Sequence, residues 1–400
     1  MSARSSQAPD FASWPDLALR TLGGSVAGAS DELFAERENL IKPESPVFRA
    51  HSFGAKGQIY DGWETRRRRD PGHDWAIVRL AAPGVIAGVV VDTAHFTGNF
   101  PERCSVEASY VDGYPPVEEL AGDSVEWVQI VPESPLEGDA ANLFAVAEQS
   151  CFTHVRLNIF PDGGVARLRV HGQVVPDPRW LLDGPLDVAA LLHGGLVVDC
   201  SNAFYSSPNN LLMPGRARVM GEGWETARRR GSGNDHVTVA LAGEAVIEQV
   251  EVDTTHFKGN APGSFCLRGG RAGERLERWV ELVGMTPLAP DTRHLFRVAN
   301  AAAITHARLD VYPDGGLARL RLRGRLTSSA RAGLGVRWFD RLPASVAARM
   351  LEREAGLSDE ALRQVISSRP LLDRCGLERA LAGAAVGADA GARLRALLLG

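Results

Sequence analysis

Two short stretches hold most of the residues that could do chemistry. Gly62-Trp63-Glu64-Thr65 runs into Arg67, Arg68 and Arg69, and Asp92-Thr93-Ala94-His95 runs into Gly98-Asn99. A planar guanidinium grips a carboxylate at two points, which suits it to anions better than an ammonium. Imidazole titrates near neutral pH and can give or take a proton. Together, Glu64, Arg67, Arg68, Asp92, His95 and Asn99 could hold a small anion and move a proton at it. Each has a plainer reading. Glu64 beside arginines is commonly an ion pair, an arginine run is commonly a solvated face, and His95 could be hydrogen-bonded beneath a loop. Asp92 and His95 differ in strand parity, so they share a site only where the chain turns after Thr93. As a metal signal, Asp-x-x-His lacks a third ligand nearby.

Both stretches occur twice. Gly223-Trp224-Glu225-Thr226, with Arg228, Arg229 and Arg230, repeats the first at a shift of 161. Asp253-Thr254-Thr255-His256, with Gly259-Asn260, repeats the second at the same shift, and 23 of the 40 positions from Gly62 to Pro101 are identical. A third stretch, His154 to Gly164, returns as His306 to Gly316 at a shift of 152. Upstream, Asp31, Phe34, Asn39 and Leu40 align with Asn202, Tyr205, Asn210 and Leu211 at 171. The first copy thus carries about ten extra residues within Ser45–Tyr60, expected to form a surface loop. A period near 160 is the size of a domain. The expected organisation is an N-terminal arm over 1–23, one repeat over 24–178 and a second over 190–330. The joint falls in the Pro-rich stretch from Pro176 to Pro185, and a helical extension covers 338–400.

The elements that must present these groups read as strands. Val85–Thr93 and Val246–Thr254 are short apolar runs, expected to be buried strands with the polar groups at their ends. From His154, Val155, Leu157 and Ile159 alternate with a polar stripe of His154, Arg156 and Asn158. His306, Arg308 and Asp310 mirror that stripe. Such a stripe lines either solvent or a pocket. Pro161-Asp162-Gly163-Gly164 is turn chemistry, so a hairpin is expected across it in each copy. Strands at short spacing point to an all-β architecture, two tandem antiparallel jelly-roll sandwiches. Beyond Pro343 the apolar spacing becomes helical, with starts at Ser358-Asp359-Glu360 and Leu372, and another helix over Ala390–Leu399.

Composition excludes several classes. With 44 Lys and Arg against 49 Asp and Glu, the net charge of -5 disfavours nucleic acid as a partner. No apolar run approaches the length of a membrane span, so a soluble, cytoplasmic chain is expected. Five scattered cysteines without CxxC spacing fit reduced thiols. There is no phosphate-binding glycine loop, G-x-S-x-G or H-E-x-x-H.

The duplicated set, Asp61 to Arg68, Gly72-His73-Asp74-Trp75, Val91 to Phe96 with Gly98-Asn99, and Phe160 to Gly164, resembles the allantoicase family from about Ser25 to Arg325. Departures are His236, where a tryptophan is expected opposite Trp75, and a loose second-copy opening at Ala203–Ser207. The resemblance implies two galactose-binding-like jelly rolls and hydrolysis of allantoate to ureidoglycolate and urea. On that reading Arg67 or Arg68, with Arg228 or Arg229, would hold the substrate carboxylate. His95 or His256 would protonate the leaving nitrogen or activate water, oriented by Asp92 or Asp253. Asn99, Asn260, Glu64 and Glu225 would bind ureido groups, the two glutamates counting with the catalytic set. His154, Arg156, His306 and Arg308 would complete the substrate contacts. A homo-oligomer is expected, and no cofactor is firmly implied. A divalent metal such as Mn²⁺ is left open, without an evident ligand set. The competing readings are a non-enzymatic carbohydrate-binding pair, disfavoured by the lack of aromatic clusters in variable loops, and an inactive scaffold.

Overall fold

The computed structural model describes residues 10–54, 57–181 and 184–400. The described residues fall into two compact units. One runs to Val175 and includes Arg341–Val346; the other runs from Pro176 to Asp340 and includes Ala347–Gly400.

In the first unit nine strands carry the argument: β1 (Ser25–Ala29), β2 (Trp63–Glu64), β3 (Asp74–Asp92), β4 (Arg103–Ser109), β5 (Val128–Pro135), β6 (Ala141–Ala145), β7 (Cys151–Phe160), β8 (Gly164–Val165) and β9 (Arg167–Val174). The 19-residue β3 serves both layers of the sandwich. Its first half lies in the order β1-β3-β7-β4-β5, while its second half pairs with β9 and β6. The register breaks between Arg79 and Gly84, where the strand passes from one layer to the other. Val78, Ile86, Val89 and Val91 on β3 are fully buried with Val155, Leu157 and Leu168, as alternation predicts for strands facing a shared core. The second unit repeats this plan, with the 19-residue strand Asp235–Asp253 breaking register between Ala240 and Ala245. Two jelly-roll sandwiches are thus present.

Two expectations need correction. The sequence from His154 to His171 is not a hairpin: β7 pairs with β3 and β4, whereas β9 pairs with the far half of β3. Pro161–Gly164 is a crossover between layers. The expected arm is the second case. Residues 1–9 lie outside the described residues, but from Asp10 the segment is packed, with Leu17, Ala18 and Leu22 buried. It also has a counterpart. Leu17 N–H donates to Val170 O at 2.7 Å and Val188 N–H to Leu322 O at 2.9 Å. Asp16 and Asp187 each accept from the same β9-equivalent strand, at Val170 and Leu322. Asp16-Leu17-Ala18 is therefore Asp187-Val188-Ala189 of the first copy.

The C-terminal helices start earlier than expected, with Ser328–Arg341 burying Leu334, Val336, Trp338 and Phe339. Ala344–Ala355, Asp359–Ser367, Arg374–Gly383 and Ala388–Leu399 follow. Ser358 and Asp373 cap two of them by accepting from Ala361 and Gly376 N–H. None of the five cysteines lies in a disulfide. No helix among the described residues is long and apolar enough to cross a membrane.

Candidate active site

Each repeat presents its glutamate on a two-residue strand. Trp63 is fully buried and its indole N–H donates to Asp31 O at 2.8 Å; Trp224 does the same to Asn202 O at 2.8 Å. Asn39 fixes Gly62 O, and Asn210 fixes Gly223 O. This explains why those upstream residues recur. β2 pairs with β8, setting Glu64 opposite Gly164. A Cβ at Gly164 would lie 2.0 Å from Phe96 Cε1, and one at Gly316 would lie 1.9 Å from Phe257 Cε1. Only glycine lets the aromatic ring after each repeated histidine pack under the glutamate strand.

Since Trp63 faces the core, Glu64 faces outward by strand alternation. Asn99 Nδ2 donates to Glu64 Oε1 at 2.7 Å, and Asn260 Nδ2 to Glu225 Oε1 at 2.6 Å. In the first repeat this pair opens into a cavity of about 440 Å³, lined also by Phe34, Gln58, Tyr60 and Thr97. Burial pushes the Glu64 carboxyl above the usual carboxylate range, against the opposing pull of the Asn99 N–H. Gln58 and Tyr60 lie in the Ser45–Tyr60 stretch that holds the insertion, so the longer loop of the first copy forms one wall of the cavity. In the second repeat Asn260 Nδ2 lies 3.3 Å from the Met220 sulfur.

The arginines divide by role. Arg68 Nη1 donates to the buried Asp74 at 2.7 Å, and Arg68 N–H donates to Asp162 at 2.7 Å. Arg229 pairs with Asp235 and Asp314 in the same way. Arg68 and Arg229 are therefore committed to the crossover turn, not to an anion clamp. Arg67 and Arg228 are exposed and make no hydrogen bond or ion pair among the described residues.

Asp92 does not orient His95. Its Oδ1 accepts from Ala94 N–H at 2.8 Å, and Asp253 accepts from Thr255 N–H at 2.8 Å, each capping its own turn. His95 takes φ 69° and His256 φ 74°, in the left-handed region. Their N–H groups donate to Asp139 at 2.7 Å and Asp291 at 2.8 Å. The rings turn to backbone, with His95 Nε2 at 3.2 Å from Pro46 O and His256 Nε2 at 3.0 Å from Ala217 O. Asp139 and Asp291 were missed as partners because each lies dozens of residues from its histidine, although a signal was present: Pro135-Leu136-x-x-Asp139 returns as Pro287-Leu288-x-x-Asp291 at the 152 shift.

The polar stripe leads elsewhere. His154 is buried against Thr153, and burial together with Arg79 pushes its imidazole down to about 4. Arg156 and Asn158 both donate to Glu107 at 2.8 Å, and Arg156 stacks over Trp127 at 4.6 Å. His306 bonds Thr305 and Arg308 bonds Asp310. None of His154, Arg156, His306 and Arg308 lines the Glu64 cavity. Among the described residues no three His, Cys, Asp or Glu side chains converge to hold a metal ion. The donor set thus does not fit the Mn²⁺ left open by the sequence, and no step below uses a metal.

The allantoicase repeat family matches residues 15–175 and 186–327. The chain is 55% identical over 318 residues to a probable allantoicase of Nocardia farcinica, covering 79% of this chain and 95% of that protein. It is 43% identical over 319 residues to the allantoicase of Dictyostelium discoideum, covering 77% and 86%. The crystal structure of allantoicase from Saccharomyces cerevisiae superposes with a TM-score of 0.67 at 36% identity, over 78% of this chain and 92% of that one. The helices beyond Thr327 lie outside the repeats matched by the family.

Proposed function

The chain belongs to the allantoicase family and hydrolyses allantoate to ureidoglycolate and urea, and we propose that this chemistry takes place in the Glu64–Asn99 cavity of the first repeat. The observation that carries the assignment is a half-buried carboxyl, its pKa raised by burial, hydrogen-bonded to an amide in a cavity sized for a small molecule. Allantoate bears two ureido groups and a carboxylate on one carbon. Protonated Glu64 gives its proton to one ureido nitrogen as the C–N bond breaks, and the electron pair leaves with urea. The lone pair of the other ureido nitrogen forms the C=N bond. Water then adds to that carbon and its proton returns to the Glu64 carboxylate, giving ureidoglycolate. Asn99 orients the carboxyl, while Gln58 and Thr97 offer polar groups to the ureido side.

Arg67 is the candidate for the substrate carboxylate. It is unpaired and three residues beyond Glu64, about 10 Å of extended chain. Glu225 and Asn260 repeat the pair without the Tyr60 wall, so turnover is assigned to the first repeat. Glu64→Gln is expected to lower kcat for urea release by about 10²- to 10⁴-fold, while Glu225→Gln keeps about half of it or more. Equal losses in both would spread the activity over both repeats. No loss in either would remove the carboxyl from the reaction. Self-association and a cytoplasmic location belong to the same proposal. They are supported by the exposed Phe204, Tyr205, Val219 and Met220 and by cysteines that form no disulfide. A monomer mass on sedimentation would overturn the first, and fractionation with membranes the second.

A further inference from the structure

We infer that His95 is a positioning residue that fixes the aromatic wall of the Glu64 cavity, and that it does not act on the substrate. The inference rests on the assignment of the reaction to that cavity. A carbonyl oxygen only accepts, so the contact at 3.2 Å to Pro46 requires the His95 ring to donate from Nε2. That nitrogen is then turned toward the backbone. The same imidazole-to-carbonyl contact recurs at His256 and Ala217, which is the residue aligned with Pro46 at the 171 shift. An acid–base role would not need the acceptor to be conserved in position between copies whose loops differ in length. A latch does.

What the latch holds differs between the repeats. The His95 ring stacks on Phe48 at 5.9 Å, Phe48 lies 5.8 Å from Tyr60, and Tyr60 stacks on Phe96 at 5.1 Å. Tyr60 lines the cavity and Phe96 underlies the Glu64 strand. Asp61 ties the same stretch down by accepting from Val47 N–H at 3.1 Å and from the buried Arg167 at 2.7 Å. The histidine thus stands at one end of a run of rings whose other end is the floor of the site. At the position aligned with Phe48 the second repeat has the exposed Val219, so His256 has no such run to hold. Holding a histidine at positive φ is unfavourable, and Asp139 compensates by taking its N–H.

The test compares His95→Ala, His95→Asn, Phe48→Ala and His256→Ala by steady-state urea release from allantoate, with Glu64→Gln as the control. Asparagine tolerates positive φ and retains an N–H donor. A wall that shapes binding gives a KM effect with little change in kcat. His95→Ala and Phe48→Ala are each expected to raise KM about 10-fold with kcat within about 3-fold, and the double variant to be no worse than the poorer single one, since residues acting as a unit are non-additive. His95→Asn should recover part of the KM, and His256→Ala should stay close to the wild type. A large fall in kcat for both His95 variants with unchanged KM, or a wild-type KM for Phe48→Ala, would overturn the latch. Phe48 is partly exposed, so that arm stands even if a histidine variant folds poorly. Full activity of Glu64→Gln would instead remove the cavity assignment on which the inference rests.

Discussion

Replacing Asn99 by alanine should move the pH profile of the enzyme in a direction the geometry fixes. Glu64 must first be an acid, so activity is present below its folded pKa and is lost as pH rises through it. Burial raises that pKa and the Asn99 N–H, at 2.7 Å from Oε1, lowers it by stabilising the charged form. Deleting the amide leaves burial less opposed, so the alkaline limb moves to higher pH. A hydrogen bond to a charged group is worth about 1.5–3 kcal/mol, and water re-entering an open cavity returns roughly half of it. The remainder is about 0.75–1.5 kcal/mol, or roughly 0.6–1.1 pH units at 1.36 kcal/mol per unit. The assay is urea release from allantoate as kcat/KM against pH, for the wild type, Asn99→Ala and Asn99→Asp. The aspartate variant places a like charge beside Glu64 and should move the limb further in the same direction. A limb that stays in place or moves to lower pH in Asn99→Ala would refute Glu64 as the acid.

Arg68→Ala leaves the carboxylate of Asp74 buried without its guanidinium and should cost about 3–5 kcal/mol in guanidinium denaturation, with Asp74→Asn in the same background recovering part of it. Arg67→Ala, at an exposed and unpaired side chain, should leave stability within about 0.5 kcal/mol while raising KM for allantoate. Gly164→Ala forces a Cβ onto the Phe96 ring and should destabilise the fold by about 1–3 kcal/mol, read as a lowered Tm. Gly98→Ala meets open space and should change Tm little.

The repeat made much of the molecule legible. The tryptophans, glutamates, asparagines and histidines that recur all have equivalent partners in the two sandwiches, so identity between copies reported shared geometry. What it could not report was which shared geometry is structural. Arg68 and Arg67 are neighbours of one type in one run, and only the buried Asp74 separates their roles. The His95 acceptor is a main-chain oxygen, which carries no signal in residue type. The hairpin reading failed because alternation shows which face a side chain takes and says nothing about which strand lies beside it. The N-terminal segment was misread although its signal was present: Asp16-x-Ala18 and Gly23-Gly24 match Asp187-x-Ala189 and Gly194-Gly195 at the 171 shift, and both copies make the same bonds. His154, Arg156 and Asn158 do share one face of a strand, but Glu107, which claims Arg156 and Asn158, comes from a neighbouring strand.

The passage of one long strand through both layers has a consequence for how each sandwich comes apart. A β3 residue on one side of the Arg79–Gly84 break cannot lose its neighbours without loosening the chain on the other side. Neither sheet can melt alone, and each repeat should lose its hydrogen-exchange protection in a single step. The Glu64 strand hangs from that same body through Gly164, so the reactive carboxyl should stay in place up to the temperature at which the whole sandwich opens.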